Sequence, residues 1–321
     1  MYRVRQVAVI FPSIPKISAA GDQAWNAFLY TLGGIYIGVE VDCQSFQEHS
    51  CSQEKKRFIY STRCEEHSVT KRDIYVRLTL FDRAVSPKAI NKIFSQELSD
   101  FYTTSTGYVQ FFYLTAAKKE LAWVLEIDRT FSRFDYFICA NKVKVLNFFD
   151  LSVRLFLLQH SFIERQGLIV HAAGGSVQGK GIIFAAPSGT GKSTLSSLLQ
   201  HGAQTRLFSE ERLIIRSIKD QWHAWGTPWH GEGNIAQNKS APLSALLFLK
   251  QSQQTKITQL SPSDGLYRLI QTASIPWYSK KWTDKGLARC EALVQEMPMF
   301  ELAFRPDQTA VQAVERFAAD L

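Results

Sequence analysis

The chain of 321 residues lacks a long apolar run, a disulfide framework and a one-sided charge. Its richest apolar stretch, residues 146–163, is interrupted by Asp150, Arg154 and His160, which indicates a core helix rather than a membrane span. No apolar segment of signal type follows the charged N-terminus. We therefore expect a cytoplasmic protein without a membrane partner.

The five cysteines are few and irregularly spaced, which argues against a disulfide framework. Three of them cluster with two histidines in residues 43–67, but this segment lacks the tight C-x₂₋₄-C pairs from which zinc sites are usually built. We interpret it as a polar loop with incidental thiols, and we expect no zinc.

The net charge of +8 is spread evenly along the chain. Residues 1–165 carry 21 basic against 17 acidic residues and residues 166–321 carry 16 against 12, a net of +4 in each half. No basic block stands out, which argues against a nucleic-acid partner. A basic face that receives an acidic peptide stays open.

Residues 186–193 read Ala-Pro-Ser-Gly-Thr-Gly-Lys-Ser, which is a Walker A loop with Ala186 in place of its first glycine. In such a loop, backbone N–H groups at the start of a helix surround a phosphate, and glycines permit the close approach. Lys192 is expected to reach the β- and γ-phosphates of ATP, and the Ser193 hydroxyl to hold Mg²⁺. The predicted nucleotide-binding residues are Ser188, Gly189, Thr190, Gly191, Lys192, Ser193 and Thr194.

The flanks of this loop fit the strand–loop–helix context that the motif requires. Residues 181–186 are an apolar run typical of a buried strand. Leu195, Leu198 and Leu199 follow at helical spacing, and Gly202 is predicted to cap the helix.

The organisation predicts an α+β N-terminal domain over residues 1–150, of unknown role, and a P-loop domain over 151–321. In the first, we predict a strand over 4–11, a strand over 73–81, a helix over 86–104 and a hairpin over 108–127. A helix over 145–165 leads into the second, where single strands are predicted over 168–173 and 205–216.

A nucleotide site also needs carboxylates, for Mg²⁺ or to activate the attacking group. Glu210 and Glu211 follow the P-loop helix, and Glu232 lies in a loop over 226–234 that is rich in glycine and proline. Since consecutive strand residues face opposite ways, only one of the pair points into a site unless the strand bends. A solvated acidic turn is the alternative. The guanine-reading Asn-Lys-x-Asp motif is missing after the P-loop, which argues against a GTPase switch.

The order of these parts over residues 171–212 resembles the HPr kinase/phosphorylase superfamily. That family has a histidine before a hairpin, a P-loop, and an acidic pair followed by Arg. His171 and the pair Glu210–Glu211 stand at the corresponding positions, and residues 227–243 look like the shorter relatives found with bacterial peptide-modification genes. The resemblance implies a mixed α/β fold shared with phosphoenolpyruvate carboxykinase.

The resemblance also implies an ATP-dependent kinase that phosphorylates a hydroxyl, a serine of a peptide or small protein. In this assignment Glu210 orients or deprotonates the acceptor, Glu211 and Glu232 support Mg²⁺, and His171 tunes the acidic pair. The acceptor is expected beside residues 226–234, with Trp229 covering it. A small-molecule kinase and a nucleotide-binding accessory protein of a peptide-modification pathway are the alternatives, and homo-oligomerisation stays open.

Overall fold

The structure is a computed structural model that describes residues 26–41, 59–61, 73–81, 89–118, 120–139, 154–202, 204–229, 231 and 233–321. These residues group into two compact units. The first takes its described residues from 1–30, 36–50 and 61–151, and the second takes them from 31–35, 51–60 and 152–321. The strand predicted over 4–11 and the cysteine–histidine segment over 43–67 lie almost wholly outside the described residues.

A nine-stranded sheet holds every described element before residue 140. Its strands lie side by side in the order β3-β1-β2-β4-β9-β8-β7-β6-β5. The pairs β2·β4 and β4·β9 are parallel, and β5 to β9 form an antiparallel meander. The bounds are β1 Asn26–Leu32, β2 Ile35–Val41, β3 Ile59–Ser61, β4 Ile74–Phe81, β5 Lys92–Gln96, β6 Ser99–Thr103, β7 Gly107–Tyr113, β8 Leu121–Asp128 and β9 Arg133–Cys139.

The helix predicted over 86–104 is wrong, because its described part forms the hairpin β5–β6. The apolar residues that suggested a helical face do not share a buried side: Ile90 is 56% exposed and Leu98 is 46% exposed. Cross-strand packing stabilises the hairpin instead, with the rings of Phe94 and Phe101 at a centroid distance of 5.3 Å. The sequence predicts an α+β domain for this half, but its described residues form only β strands and their connections.

Two other predictions in this half are confirmed. The strand predicted over 73–81 is β4, and the hairpin predicted over 108–127 is the antiparallel pair β7–β8. Apolar residues of β7 and β8, including Val109, Phe111 and Val124, pack in one core, and Ile74, Val76 and Leu78 of β4 are buried as well.

The second unit combines strands with five described helices. The helices are α1 Arg154–Glu164, α2 Lys192–Leu199, α3 Pro262–Thr272, α4 Lys280–Glu296 and α5 Gln308–Asp320. The strands are β10 Gly167–Val170, β11 Ala172–Val177, β12 Lys180–Ala185, β13 Thr205–Ser209, β14 Leu213–Ile218, β15 Gln221–Trp225, β16 Ser240–Gln251, β17 Lys256–Gln259 and β18 Met299–Phe304. With the β strands of the first unit, they make the protein a mixed α/β structure.

The long strand β16 organises this second sheet. It pairs in parallel with β12, and its other edge pairs first with β15, antiparallel, and then with β18, parallel. The rest of the sheet continues as β12-β11-β13 on one side and β15-β14-β10 on the other. The buried residues of β12, β16 and β18 join those of α2 and α5 in one core. As a result, the loop between β12 and α2 starts next to the centre of the sheet.

Helix α2 confirms the predicted helix after the P-loop, but the predicted glycine cap is wrong. The helix ends at Leu199, and its C-cap is Gln200 in right-handed helical conformation. Gly202 lies two residues further on and donates its N–H to the Leu199 carbonyl. Among the described helices, none has both the length and the apolar character needed to cross a membrane.

Candidate functional site

Two strands that the sequence predicts to be continuous break at the same place in the sheet. The first breaks at His171, between β10 and β11, and the second at residues 210–212, between β13 and β14. Val170 pairs with Leu213 and Gly174 pairs with Ser209, so the two breaks lie opposite each other. Both predictions of a continuous strand are therefore wrong at their centres. At each break the side chains no longer have to alternate between the two faces of the sheet.

A serine side chain fixes the second break. The Ser209 hydroxyl accepts the N–H groups of Glu211 and Arg212, both at 3.3 Å. This local turn competes with the sheet ladder for the same backbone donors. As a result, the side chains of Glu210 and Glu211 lie in different surroundings.

The P-loop begins beside these breaks. Ala172 pairs with Ala185, the last residue of β12, and the Ala172 N–H donates to the Glu211 carbonyl at 3.2 Å. Residues 186–191 then connect β12 to α2. The topology therefore brings the P-loop, His171 and Glu211 to one edge of the sheet.

Two glycines give the loop its shape. Gly189 has φ of +79° and Gly191 has φ of +105°, both in the region that favours glycine. A Cβ at Gly191 would also lie 3.0 Å from Cζ of Phe304. Ser188 and Gly189 are exposed, and Thr190 donates its hydroxyl to the Pro187 carbonyl at 2.9 Å. Ser193 and Thr194 are exposed in the first turn of α2.

Lys192 is buried beneath the loop, with 7% of its surface exposed. Its Nζ donates to the carbonyl oxygens of Ala186 at 2.8 Å and Pro187 at 3.0 Å. Burial lowers the pKa of Lys192, the Arg212 cation lowers it further, and the Glu211 carboxylate opposes the shift. An ammonium in this position strongly favours an anionic neighbour.

Glu211 and His171 face each other across the strand breaks. Oε2 of Glu211 lies 3.5 Å from Nε2 of His171, and both side chains are partly exposed. Burial lowers the pKa of His171, Lys192 and Arg212 lower it further, and Glu211 raises it. The net shift of the His171 pKa is downward from 6.5, which favours the neutral imidazole at pH 7 over an ion pair with Glu211.

Arg212 is a residue of this cluster that the sequence reasoning did not assign. Burial lowers its pKa, and the nearby Glu211 carboxylate opposes the shift. Its Nη1 donates to the Ser274 hydroxyl at 3.5 Å. The only sequence signal for it was the Arg that follows the acidic pair in the resembled family. Lys192 and Arg212 together outweigh Glu211, so the cluster carries an excess of positive charge.

Glu210 lies apart from this cluster. Only 3% of the residue is exposed, and its Oε1 accepts the Ile235 N–H at 3.3 Å. A Cβ at Gly233 would lie 2.5 Å from Glu210 Oε2, which shows how closely the glycine backbone surrounds the carboxyl. The contacts described for Glu210 are with the backbone around residues 231, 233 and 235, whereas Glu211 contacts His171.

The described part of the loop over 226–234 packs into the protein. Thr227 is fully buried and donates its hydroxyl to the Arg212 carbonyl at 2.7 Å. Trp229 is 8% exposed, and its carbonyl accepts the Ser209 hydroxyl. The indole of Trp229 is thus buried, and the expectation that it covers an acceptor stays a prediction. His230 and Glu232 lie outside the described residues, so the metal role predicted for Glu232 stays a prediction.

The residues at this edge fit a magnesium-bound nucleoside triphosphate. Gly189 has nothing within 4 Å of its Cβ position, and the exposed loop leads into α2 beside a buried ammonium. Among the described residues there is no group of three or more His, Cys, Asp or Glu side chains that could hold a metal ion. Mg²⁺ usually takes one or two protein oxygens and completes its shell with phosphate and water. Oxygens of Ser193 and Glu211 lie among the residues of this edge.

The fold and site define a class: a mixed α/β protein in which a glycine-rich strand–loop–helix carries a buried lysine beside a His–Glu–Arg cluster. The family model described as "SynChlorMet cassette protein ScmC" matches residues 138–305, slightly more than half of the chain. The chain therefore belongs to the ScmC family.

Two further comparisons add little. The search of curated proteins gave no match. The chain is similar to a solved structure titled "Structure of the Hpr(Ser) kinase/phosphatase from Coxiella burnetii" at 8% identity and a TM-score of 0.30. That likeness covers 47% of this chain and 88% of the other, and at this TM-score no argument rests on it.

Proposed function

We propose that the protein is an ATP-dependent kinase that transfers a γ-phosphoryl group to a hydroxyl, a serine of a peptide or small protein. One observation carries the proposal: the strand breaks bring His171, Glu211 and Arg212 to the edge of the sheet where the P-loop and Lys192 lie. Phosphoryl transfer depends mainly on positioning and on charge stabilisation, and this edge supplies groups for both.

The N–H groups of residues 189–193 and the Lys192 ammonium bind the phosphates of ATP. The Ser193 hydroxyl would hold Mg²⁺, which would neutralise phosphate charge. Arg212 adds a second cation close to the first, which stabilises the negative charge that spreads over the transferred group. Lys192 gives up its two loop carbonyls in favour of the phosphate oxygens.

Glu211 takes the role of base, which the sequence had suggested for Glu210. The acceptor oxygen forms a bond to the γ-phosphorus, the bond from that phosphorus to the β,γ-bridging oxygen breaks, and ADP leaves with the electron pair. The acceptor proton passes to the Glu211 carboxylate. Neutral His171, at 3.5 Å from Oε2, orients this carboxylate without neutralising it. Glu210 positions residues 231–235 through its bond to Ile235.

Because the family is described as a cassette protein, the acceptor is best sought first among the products of the same cassette. The small-molecule kinase and the accessory protein stay as alternatives. An accessory protein would bind Mg·ATP and turn it over slowly without phosphorylating any cassette product.

The test compares Glu211→Gln with Glu210→Gln, two changes that each remove one carboxylate of the same pair. Titration calorimetry with Mg·ATP gives binding, and ³²P transfer from labelled ATP to the cassette's peptides and to a serine peptide library gives activity. We expect Glu211→Gln to keep binding and to lose transfer by about 10²–10⁴-fold, the usual contribution of a general base. Glu210→Gln keeps an acceptor oxygen for Ile235 and should retain most of the activity.

Two results would count against the proposal. Wild-type protein that does not bind Mg·ATP would remove the nucleotide site altogether. Equal transfer rates for wild type and Glu211→Gln would remove the base role and leave only a phosphate-binding cluster. Binding and hydrolysis of ATP without transfer to any acceptor would favour the accessory alternative.

A further inference from the structure

The connection between α3 and α4, residues 273–279, lies next to the proposed site. The His171 N–H donates to the Thr272 carbonyl, and the Ser274 N–H donates to the Ile169 carbonyl, both at 2.8 Å. Ala273 forms an isolated antiparallel bridge with Val170. The connection and the last residue of α3 are therefore hydrogen-bonded to the end of β10 and to His171 at the first strand break.

Arg212 joins the connection to the charged cluster through its contact with the Ser274 hydroxyl. Three residues of extended chain span at most about 10 Å. The Cα of Trp277 therefore lies within about 10 Å of the Cα of Ser274, the residue that contacts Arg212. A peptide residue three positions away from an acceptor serine lies at a similar distance from the serine.

Trp277 is exposed although the segment around it is well packed. Its residue is 58% exposed, while Ile275 is 6% exposed. The Thr283 hydroxyl donates to the Pro276 carbonyl at 3.0 Å, and the Tyr278 hydroxyl lies 2.5 Å from Nε2 of buried His160. The indole is thus presented on a rigid backbone, which is how aromatic anchors of binding sites gain affinity at low entropic cost.

The charge next to Trp277 is positive. Residues 273–289 contain Lys280, Lys281, Lys285 and Arg289 against a single acid, Asp284. The Lys280 side chain is 88% exposed, and the Lys281 ammonium lies 4.9 Å from the centroid of the Trp282 ring. Lys285 is paired with Glu164 and Lys280 with Asp284, both at 2.6 Å. Lys280 keeps most of its side chain exposed in its pair, so Lys280 and Lys281 are the cations that a peptide can reach, and the segment keeps an excess of positive charge.

We propose that Trp277, Lys280 and Lys281 form a docking surface for an acidic segment of the peptide acceptor, with an apolar residue of that segment on Trp277. The inference rests on the proposed function, because continuity with the Arg212 cluster is what identifies the occupant as the acceptor. Charge complementarity selects an acidic peptide, and the span from Ser274 sets the apolar residue about three positions from the serine.

The probe is a pair of fluorescein-labelled peptides with a central serine and a leucine three residues away on each side. One has glutamates between leucine and serine (Gly-Leu-Glu-Glu-Ser-Glu-Glu-Leu-Gly), and the other has lysines at the same four places. Fluorescence anisotropy measures their binding to the full chain. We expect the glutamate peptide to bind and the lysine peptide to bind at least tenfold more weakly.

Trp277→Ala and the double change Lys280→Glu/Lys281→Glu should each weaken binding of the glutamate peptide at least tenfold, as is usual for a buried aromatic anchor and its charged neighbours. Tyr267→Ala is the matched control, since Tyr267 is an aromatic residue of α3 with 67% exposure. It should bind like wild type. Because Trp277 is exposed, its loss should leave the Mg·ATP affinity unchanged, which also reports that the variant is folded.

Unchanged binding in Trp277→Ala, an equal loss in Tyr267→Ala, or no binding of the glutamate peptide to wild type would overturn the docking surface. Sedimentation that shows a dimer lost in Trp277→Ala would assign the surface to a second copy and overturn it as well. These outcomes are distinct from failure of the proposed kinase. Without Mg·ATP binding, a Trp277-dependent peptide interaction would survive as a property of an accessory protein.

Discussion

His171 and Lys192 both lie close enough to the Glu211 carboxylate for it to affect their pKa values. Burial lowers the pKa of both His171 and Lys192, while Glu211 opposes the shift in each case. A cluster of this kind is stable only if its charges are compensated, and here the excess is positive because of Arg212. An anion bound at this edge would supply the missing charge, which is why we interpret the cluster as a phosphate site.

A prediction about pH follows from His171. Its pKa in the folded protein is below the ordinary 6.5, so the unfolded chain binds the proton more readily. The contribution of the neutral imidazole to the free energy of unfolding is complete above about pH 6.5. It is lost as the pH falls through the pKa that His171 has in the folded protein. His171→Gln removes this proton and keeps an amide donor. We expect the melting temperature of wild type to fall relative to that of His171→Gln between pH 7.5 and 5. Parallel melting curves would show that the imidazole is not perturbed.

Among the elements, the strand–loop–helix over β12 and α2 is the one on which the site depends. Gly189 and Gly191 both have a positive φ, but only Gly191 is close to another group, the ring of Phe304. An alanine at a residue with such a positive φ lowers the stability by about 1–2 kcal/mol from backbone strain alone.

Gly191→Ala should therefore lower the melting temperature more than Gly189→Ala, because it adds a 3.0 Å contact with Phe304 to the same strain. Thermal unfolding followed by circular dichroism gives the comparison. Gly189→Ala is the matched control, since its Cβ position has nothing within 4 Å. An equal loss in both variants would mean that the Phe304 ring moves aside without cost.

For the whole molecule, binding of nucleotide should be visible as stability. A ligand present at 100 times its dissociation constant stabilises the state that binds it by about 2.7 kcal/mol. We expect Mg·ATP to raise the melting temperature of wild type more than that of Lys192→Ala, by about twice as much if the affinity falls tenfold. The lost contact is charge-assisted and worth about 1.5–3 kcal/mol, so affinity should fall roughly tenfold or more.

Lys180→Ala is the control for this measurement, because Lys180 is another lysine of the second unit that bonds to a carbonyl, that of Ala318 at 2.7 Å. Its melting temperature should rise with Mg·ATP as in wild type. Calorimetry also separates the two compact units if they melt apart, and the shift should then belong to the transition of the unit that contains Lys192. A wild-type protein insensitive to Mg·ATP would contradict the nucleotide site.

The sequence by itself determined the local parts of this protein. The P-loop strand and helix follow from an apolar run, a glycine-rich turn and leucines at helical spacing, all of which depend on neighbouring residues. The strand over 74–81 and the hairpin β7–β8 follow from alternation in the same way. The prediction from short-range spacing was wrong for the hairpin β5–β6, where apolar residues happen to fall at helical intervals. The aromatic residues that stabilise this hairpin, Phe94 and Phe101, lie on different strands.

Only the tertiary structure decided which side chains meet. Glu210 and Glu211 are adjacent in the sequence, and no local pattern tells which one faces the P-loop. The Ser209 turn and the break opposite His171 separate them, sending Glu210 to Ile235 and Glu211 to His171. Ser274 and Trp277 come near the site through contacts between distant segments, Arg212 with Ser274 and Val170 with Ala273, which depend on the register of the whole sheet.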